Sequence, residues 1–145
     1  MYFIDRNKIE ETLQYMDELL GHFDANGIHT FTGKLALERL AHMSVESIID
    51  VGNMMIDGFI MRDPGSYEDI IDILTDEKVL PTEEEENYKK LIQLRKPLVR
   101  EFTNIDHDHL TKTLNENWES LTSFSERIRY YLNEELGPVS AFSKD

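Results

Sequence analysis

Cysteine is absent from the chain, so there is no disulfide framework and no thiolate metal site. Long apolar runs are missing as well. None approaches the ~18 residues that would span a bilayer, and no membrane partner is expected. The opening stretch MYFIDRNKIEE lacks the charged-then-apolar layout of a secretory signal, which makes a soluble cytoplasmic protein the expectation. Basic side chains are scarce: 15 Lys and Arg stand against 29 Asp and Glu, a net charge of −14. Proteins that bind nucleic acid broadly do so by displacing counterions from phosphates with Lys and Arg. The charge balance therefore argues against a general nucleic-acid binder, with no DNA partner expected, and leaves room only for a local basic patch on an acidic body.

What is present is enough for one core. Hydrophobic residues make up 40% of the 145. A chain of this length can bury roughly 68–70% of its unfolded surface, and a single domain over residues 1–145 is expected. Helical spacing runs through nearly all of it. Ile9, Leu13, Met16, Leu20 and Phe23 step by four and three, with Asn26-Gly27 as the stop. A long second helix is predicted from about Thr32 to Ile60, its apolar side carrying Leu37, Leu40, Ala41, Val45, Ile48, Val51, Met55 and Phe59. Asp63-Pro64-Gly65 is its expected terminator, because proline disfavours helix in the residue before it.

Ser66 with Asp69 resembles a capping box for a short third helix, and Thr82 with Glu85 another, opening a fourth helix through about Arg100. Leu110, Leu114, Trp118, Leu121, Phe124, Ile128 and Leu132 predict one long fifth helix ending at Gly137-Pro138. No strand-period segment and no internal repeat competes. The fold class is all-α, an up-and-down four-helix bundle with one additional short helix.

Polar residues supply the candidates for function. On the second helix Arg39, His42, Glu46, Asp50, Asn53 and Asp57 recur by threes and fours, so they share one face. That face is either simply solvated or turned toward a partner subunit or a cleft. Asp106 to His109, "DHDH", could ligate a metal; the alternative places Asp108 as a helix cap with the others exposed, and no metal is expected. Lys89, Lys90, Arg95, Lys96 and Arg100 cluster within twelve residues. They form either a basic patch or the C-terminal complement to the TEEEE helix start, as the helix dipole favours. Within the cluster lies "IQLRKPLVREFTNID". Residues five apart diverge by about 140° on a straight helix, so Arg95 and Arg100 share a pocket only if the helix bends, for which Pro97 is suited, or if two copies meet.

With the stretches DVGNMMIDGFIMRDPGSYEDIIDIL and YLNEELGPVSAF around it, this spacing resembles the HepT-like family of the HEPN superfamily, and within it the YutE-type branch, over roughly Phe3 to Phe142. The resemblance implies a bacterial helical bundle that forms a homodimer. It brings two Arg-x4-His motifs together in a metal-independent endoribonuclease cleft. It also implies a toxin whose nucleotidyltransferase-type antitoxin can adenylylate the tyrosine of Arg-x4-His-x-Tyr. No cofactor is implied.

Histidine suits such a cleft because it can take or give a proton near neutral pH. Arginine suits it because its permanently charged fork steadies a phosphate. Carried over by position, Arg95 matches the motif arginine, Arg100 stands at the histidine position and Phe102 at the tyrosine position. Arginine cannot exchange protons at pH 7, and phenylalanine has no hydroxyl to modify. The motif as written keeps phosphate affinity while lacking the proton carrier and the modification site. His42 is the candidate substitute proton carrier, and Glu46, Asp50 and Asn53 are candidate cleft or dimer-face residues. The expectation is a non-catalytic or weakly active module binding RNA, a nucleotide or a protein. The alternative is an active ribonuclease that uses Arg95 and a substitute histidine.

Overall fold

Each apolar stripe becomes the buried face of a helix in the computed structural model, which describes residues 2–24 and 28–137. Those residues form an all-α bundle: α1 (Arg6–Gly21), α2 (Phe31–Gly58), α3 (Tyr67–Asp76), α4 (Glu85–Gln93), α5 (Arg95–Arg100), α6 (His107–Glu116) and α7 (Trp118–Leu136). Side-chain oxygens start four of them, each accepting from a backbone N–H that has no partner inside the helix. Asp5 caps α1 and Thr30 caps α2. Ser66 caps α3 as its spacing predicts, accepting from the Asp69 N–H at 3.1 Å. The Asp69 carboxylate passes over the cap to the Gly65 N–H at 2.8 Å and to Arg62 at 2.9 Å.

Helix α2 is the centre. Every apolar residue assigned to it by periodicity is buried, and it packs against α1, α3, α4, α5 and α6. The approach of α3 is close enough that a Cβ on Gly52 would lie 2.5 Å from the Ile70 methyl. Across the bundle Tyr88 of α4 is fully buried and its hydroxyl donates to the Ser120 carbonyl of α7 at 2.6 Å. Arg6 closes the ends of α1 and α7, donating to the Gly137 carbonyl at 2.7 Å and to Asn133 at 3.0 Å. Asn26-Gly27, the expected stop of the first helix, lies outside the described residues, as does Pro138; α1 itself ends at Gly21.

Five sequence expectations are corrected. Helix α2 ends at Gly58, five residues before Asp63-Pro64-Gly65, because Ile60 turns left-handed (φ 59°). The Met61 and Ile60 N–H groups then bond back to Ile56 and Asp57, a Schellman closure that satisfies the last carbonyls. Thr82 and Glu85 form no capping box: after Pro81 the chain makes a 3-10 turn over Thr82–Glu84, with no side-chain cap there or on α4. The fourth helix does not run unbroken to Arg100 but divides at Leu94. Pro97 has no N–H for the Gln93 carbonyl and its ring crowds that carbonyl, which ends α4 there.

The fifth helix divides at Asn117, which is buried and whose side-chain amide donates to the Thr113 carbonyl at 2.9 Å beside its own backbone N–H at 3.2 Å. Two donors on one acceptor disturb the ladder at that turn. Asp106, not Asp108, caps α6, accepting from the His109 N–H at 3.0 Å.

The α2–α3 contact gives a direct check. Gly52→Val drives two further carbons into Ile70, and overpacking of this kind costs about 1–3 kcal/mol. Urea unfolding followed by circular dichroism is expected to show that loss with the denaturant slope unchanged.

Candidate functional site

The break at Leu94 makes Arg95 the first residue of α5 and aims it at the polar face of α2. Its Nε donates to Glu46 Oε1 at 2.6 Å. The same oxygen lies 3.4 Å from His42 Nε2, one turn earlier on α2. The guanidinium lies over the Tyr67 ring, 4.5 Å from its centroid. Glu46, His42 and Arg95 are all half-buried, a setting in which an ion pair contributes up to about 1 kcal/mol and a cation on an aromatic face about as much. The hydrogen bond to Glu46, then that carboxylate's charge, holds the Arg95 pKa above the ordinary arginine value against desolvation. Its two terminal amino groups have no hydrogen-bond partner among the described residues. Arg95 is therefore held along one edge and over one face, with its fork left for an anion.

Arg95 borders an open groove of about 1030 Å³ between α3 and α5, whose lining holds the acidic Glu68 as well as Ser66, Tyr67, Ile92, Gln93, Lys96, Pro97 and Arg100. Both motif arginines border it. The helix break lies before Arg95, so it re-aims α5 as a whole rather than rotating one arginine toward the other. The groove reaches both because it wraps across α5, with Pro97 between them. Arg100 and Lys96 are exposed, one turn apart on α5. Phe102 lies in the 3-10 turn Phe102–Asn104, 66% exposed and outside the groove lining.

The other sequence candidates divide. Glu46 joins Arg95, and His42 joins Glu46, but neither lines the groove. Asn53 is half-buried and Asp50 exposed on the same helix face. The Asp50 carboxyl is raised above the usual aspartate range by partial desolvation and by the Glu46 charge, with Lys8 opposing. In "DHDH", Asp106 is a cap and His107 Nε2 lies 2.6 Å from Glu38 Oε2. No group of three or more His, Asp or Glu suited to a metal occurs among the described residues. The basic cluster also divides, since Lys89 is bound to Asp72 at 2.6 Å while Lys96 and Arg100 remain open.

Two partners escaped the sequence reading. Tyr67 stands directly after the cap Ser66 in the quoted stretch, and its 47% exposure has no periodic signature. Glu38 is a helix-surface residue until α6 brings His107 to it.

Comparison with known proteins identifies the family. The family model described as Ribonuclease HepT-like matches residues 8–128. YutE of Bacillus subtilis (strain 168), named as a candidate RNase, is 50% identical over 143 residues, covering 98% of this chain and 99% of its own. The solved structure of that cytosolic protein superposes with a TM-score of 0.93 over 98% of this chain and 100% of the other. A HEPN toxin from Shewanella oneidensis, tri-AMPylated and in complex with an MNT antitoxin, shares the fold at 18% identity with a TM-score of 0.66, covering 84% of this chain and 91% of that one. The chain belongs to the HepT-like family.

The raised Asp50 pKa has a signed consequence. A folded-state pKa above the unfolded one means that the ionised carboxylate opposes folding, so stability falls as pH rises through that value. Asp50→Asn is expected to stabilise at pH 7 by no more than about 0.5 kcal/mol. In urea titrations the gain should shrink as the pH is lowered into the carboxylate range; a constant gain would point to another cause.

Proposed function

We propose that this member of the HepT-like family is a dimeric, non-catalytic or weakly active module that holds RNA or a nucleotide by its phosphates in the groove beside Arg95. One observation carries the reading. Arg95 is fixed through Nε by Glu46 and through its face by Tyr67, and it lines a groove shared with Lys96 and Arg100. Such an arginine is suited to grip a phosphate without reorganising. The residue at the motif's histidine position is Arg100, and a guanidinium adds charge there but no proton transfer at pH 7. Loss of a positioned acid or base removes about 10²–10⁴ in rate. Binding is therefore the chemistry these residues support best.

The alternative, an active metal-independent endoribonuclease, has one observation in its favour: Glu46 Oε1 joins His42 to Arg95. A histidine oriented by a carboxylate beside a phosphate-binding arginine is a reasonable base. Against it, His42 does not line the groove. The homodimer and the cytoplasmic location are part of the same reading, supported by family membership and by the absence, among the described residues, of any helix long and apolar enough to cross a membrane. The stripe Glu46, Asp50 and Asn53 is the proposed subunit face. A nucleotidyltransferase-type antitoxin fits the Shewanella complex, but Phe102 offers it no hydroxyl.

Two measurements test this. Arg95→Ala is expected to weaken RNA and nucleotide binding about tenfold or more and to flatten its salt dependence; unchanged affinity overturns the anion site. Wild type is expected to leave RNA essentially uncut, while Arg100→His, which restores a proton carrier, gains cleavage. Wild-type cleavage that His42→Ala abolishes would establish the enzyme instead.

A further inference from the structure

We infer that Tyr67 is a base-stacking platform and that the groove takes a segment of single-stranded RNA. This rests on the reading of the groove as an anion site and specifies what accompanies the phosphate. Tyr67 keeps 47% of its surface exposed although Arg95 covers part of its ring, and it lines the same groove as the cations. A ring and a cation placed together meet the two halves of a nucleotide, since the ring stacks on the base and the cation holds the phosphate.

The cations are also spread along and around α5. Arg95 and Arg100 lie five residues apart on α5, roughly 7–8 Å along its axis at 1.5 Å per residue, with exposed Lys96 between them. That spread suits successive phosphates of an extended strand better than the single phosphate of a mononucleotide. Gln93, exposed on the same groove, carries an amide able to donate to and accept from a base edge.

Charge makes the base contact necessary. At −14 the chain repels a polyanion at long range, and three groove cations, with Glu68 also in the lining, offset this only locally. A duplex offers its phosphates but keeps its bases stacked on one another. Only an open strand adds stacking, which does not depend on salt as phosphate contacts do.

The test measures binding of the full chain to three labelled probes by fluorescence anisotropy: an RNA octamer, an abasic ribose-phosphate octamer and an RNA duplex. The octamer with bases is expected to bind tightest. Tyr67→Phe should stay within about twofold of wild type, while Tyr67→Leu weakens the base-bearing octamer about 5- to 100-fold, the range for losing one stacked base, and leaves the abasic strand unchanged. Equal wild-type affinity for strands with and without bases overturns the inference without any variant. So does a Tyr67→Leu loss shared by both strands, which would make Tyr67 only a positioning residue for Arg95. If Arg95→Ala leaves every probe unaffected, the anion-site reading itself fails, a result separable from the other two.

Discussion

A 28-residue helix through the middle of a bundle must cover apolar side chains around most of its circumference, and in this protein the other helices are placed by that requirement. Helix α2 is packed by five of the other six helices. Gly52 lets α3 approach where any larger residue would hold it off, and that approach brings the start of α3, with Ser66 and Tyr67, up to α5. The groove is a by-product of how α2 is covered.

The remaining strip of α2 is polar, and its half-buried members have to find partners. Glu46 takes Arg95, His42 shares that carboxylate, and Glu38 takes His107. Each contact is of modest strength. Together they attach α5 and α6 to α2 through polar contacts as well as through packing. The same pairing separates the basic residues into structural and available ones: Lys89 is committed to Asp72, whereas Lys96 and Arg100 face solvent. In a strongly acidic chain this local sorting matters more than the total. It leaves exposed cations in the groove lined by one aromatic ring and nowhere obliges the protein to bind polyanions in general.

Legibility in the sequence followed the range of the interaction. Apolar periodicity identified the buried apolar residues of α1 and α7 and most of those of α2, where it missed Ile49 and Ile56, because burial repeats with the helix itself. Breaks were less visible. Pro97 announced a bend since its missing N–H is a property of the residue, although the helix ends four residues earlier, at the carbonyl that the proline deprives. Asn117 gave no such notice: its amide interrupts the helix only because burial leaves it the Thr113 carbonyl to bond. Ile60 likewise ends α2 in a left-handed conformation that β-branched residues rarely adopt. The cap moved from Asp108 to Asp106 because the turn of chain before α6, more than composition, decides which carboxylate reaches a free N–H.

By itself the sequence determined the helical class, the core, the family and the chemical limits of the motif. Those properties belong to residue types and their local spacing: an arginine at position 100 cannot carry a proton and a phenylalanine at 102 cannot be modified, whatever surrounds them. Tertiary structure alone decided that Arg95 is held by Glu46, that His42 shares that carboxylate yet stays out of the groove, and that Tyr67 lies beneath the guanidinium. The two Arg95 contacts join residues 28 and 49 positions apart, and such distances close only when the covering of α2 brings α3 and α5 together.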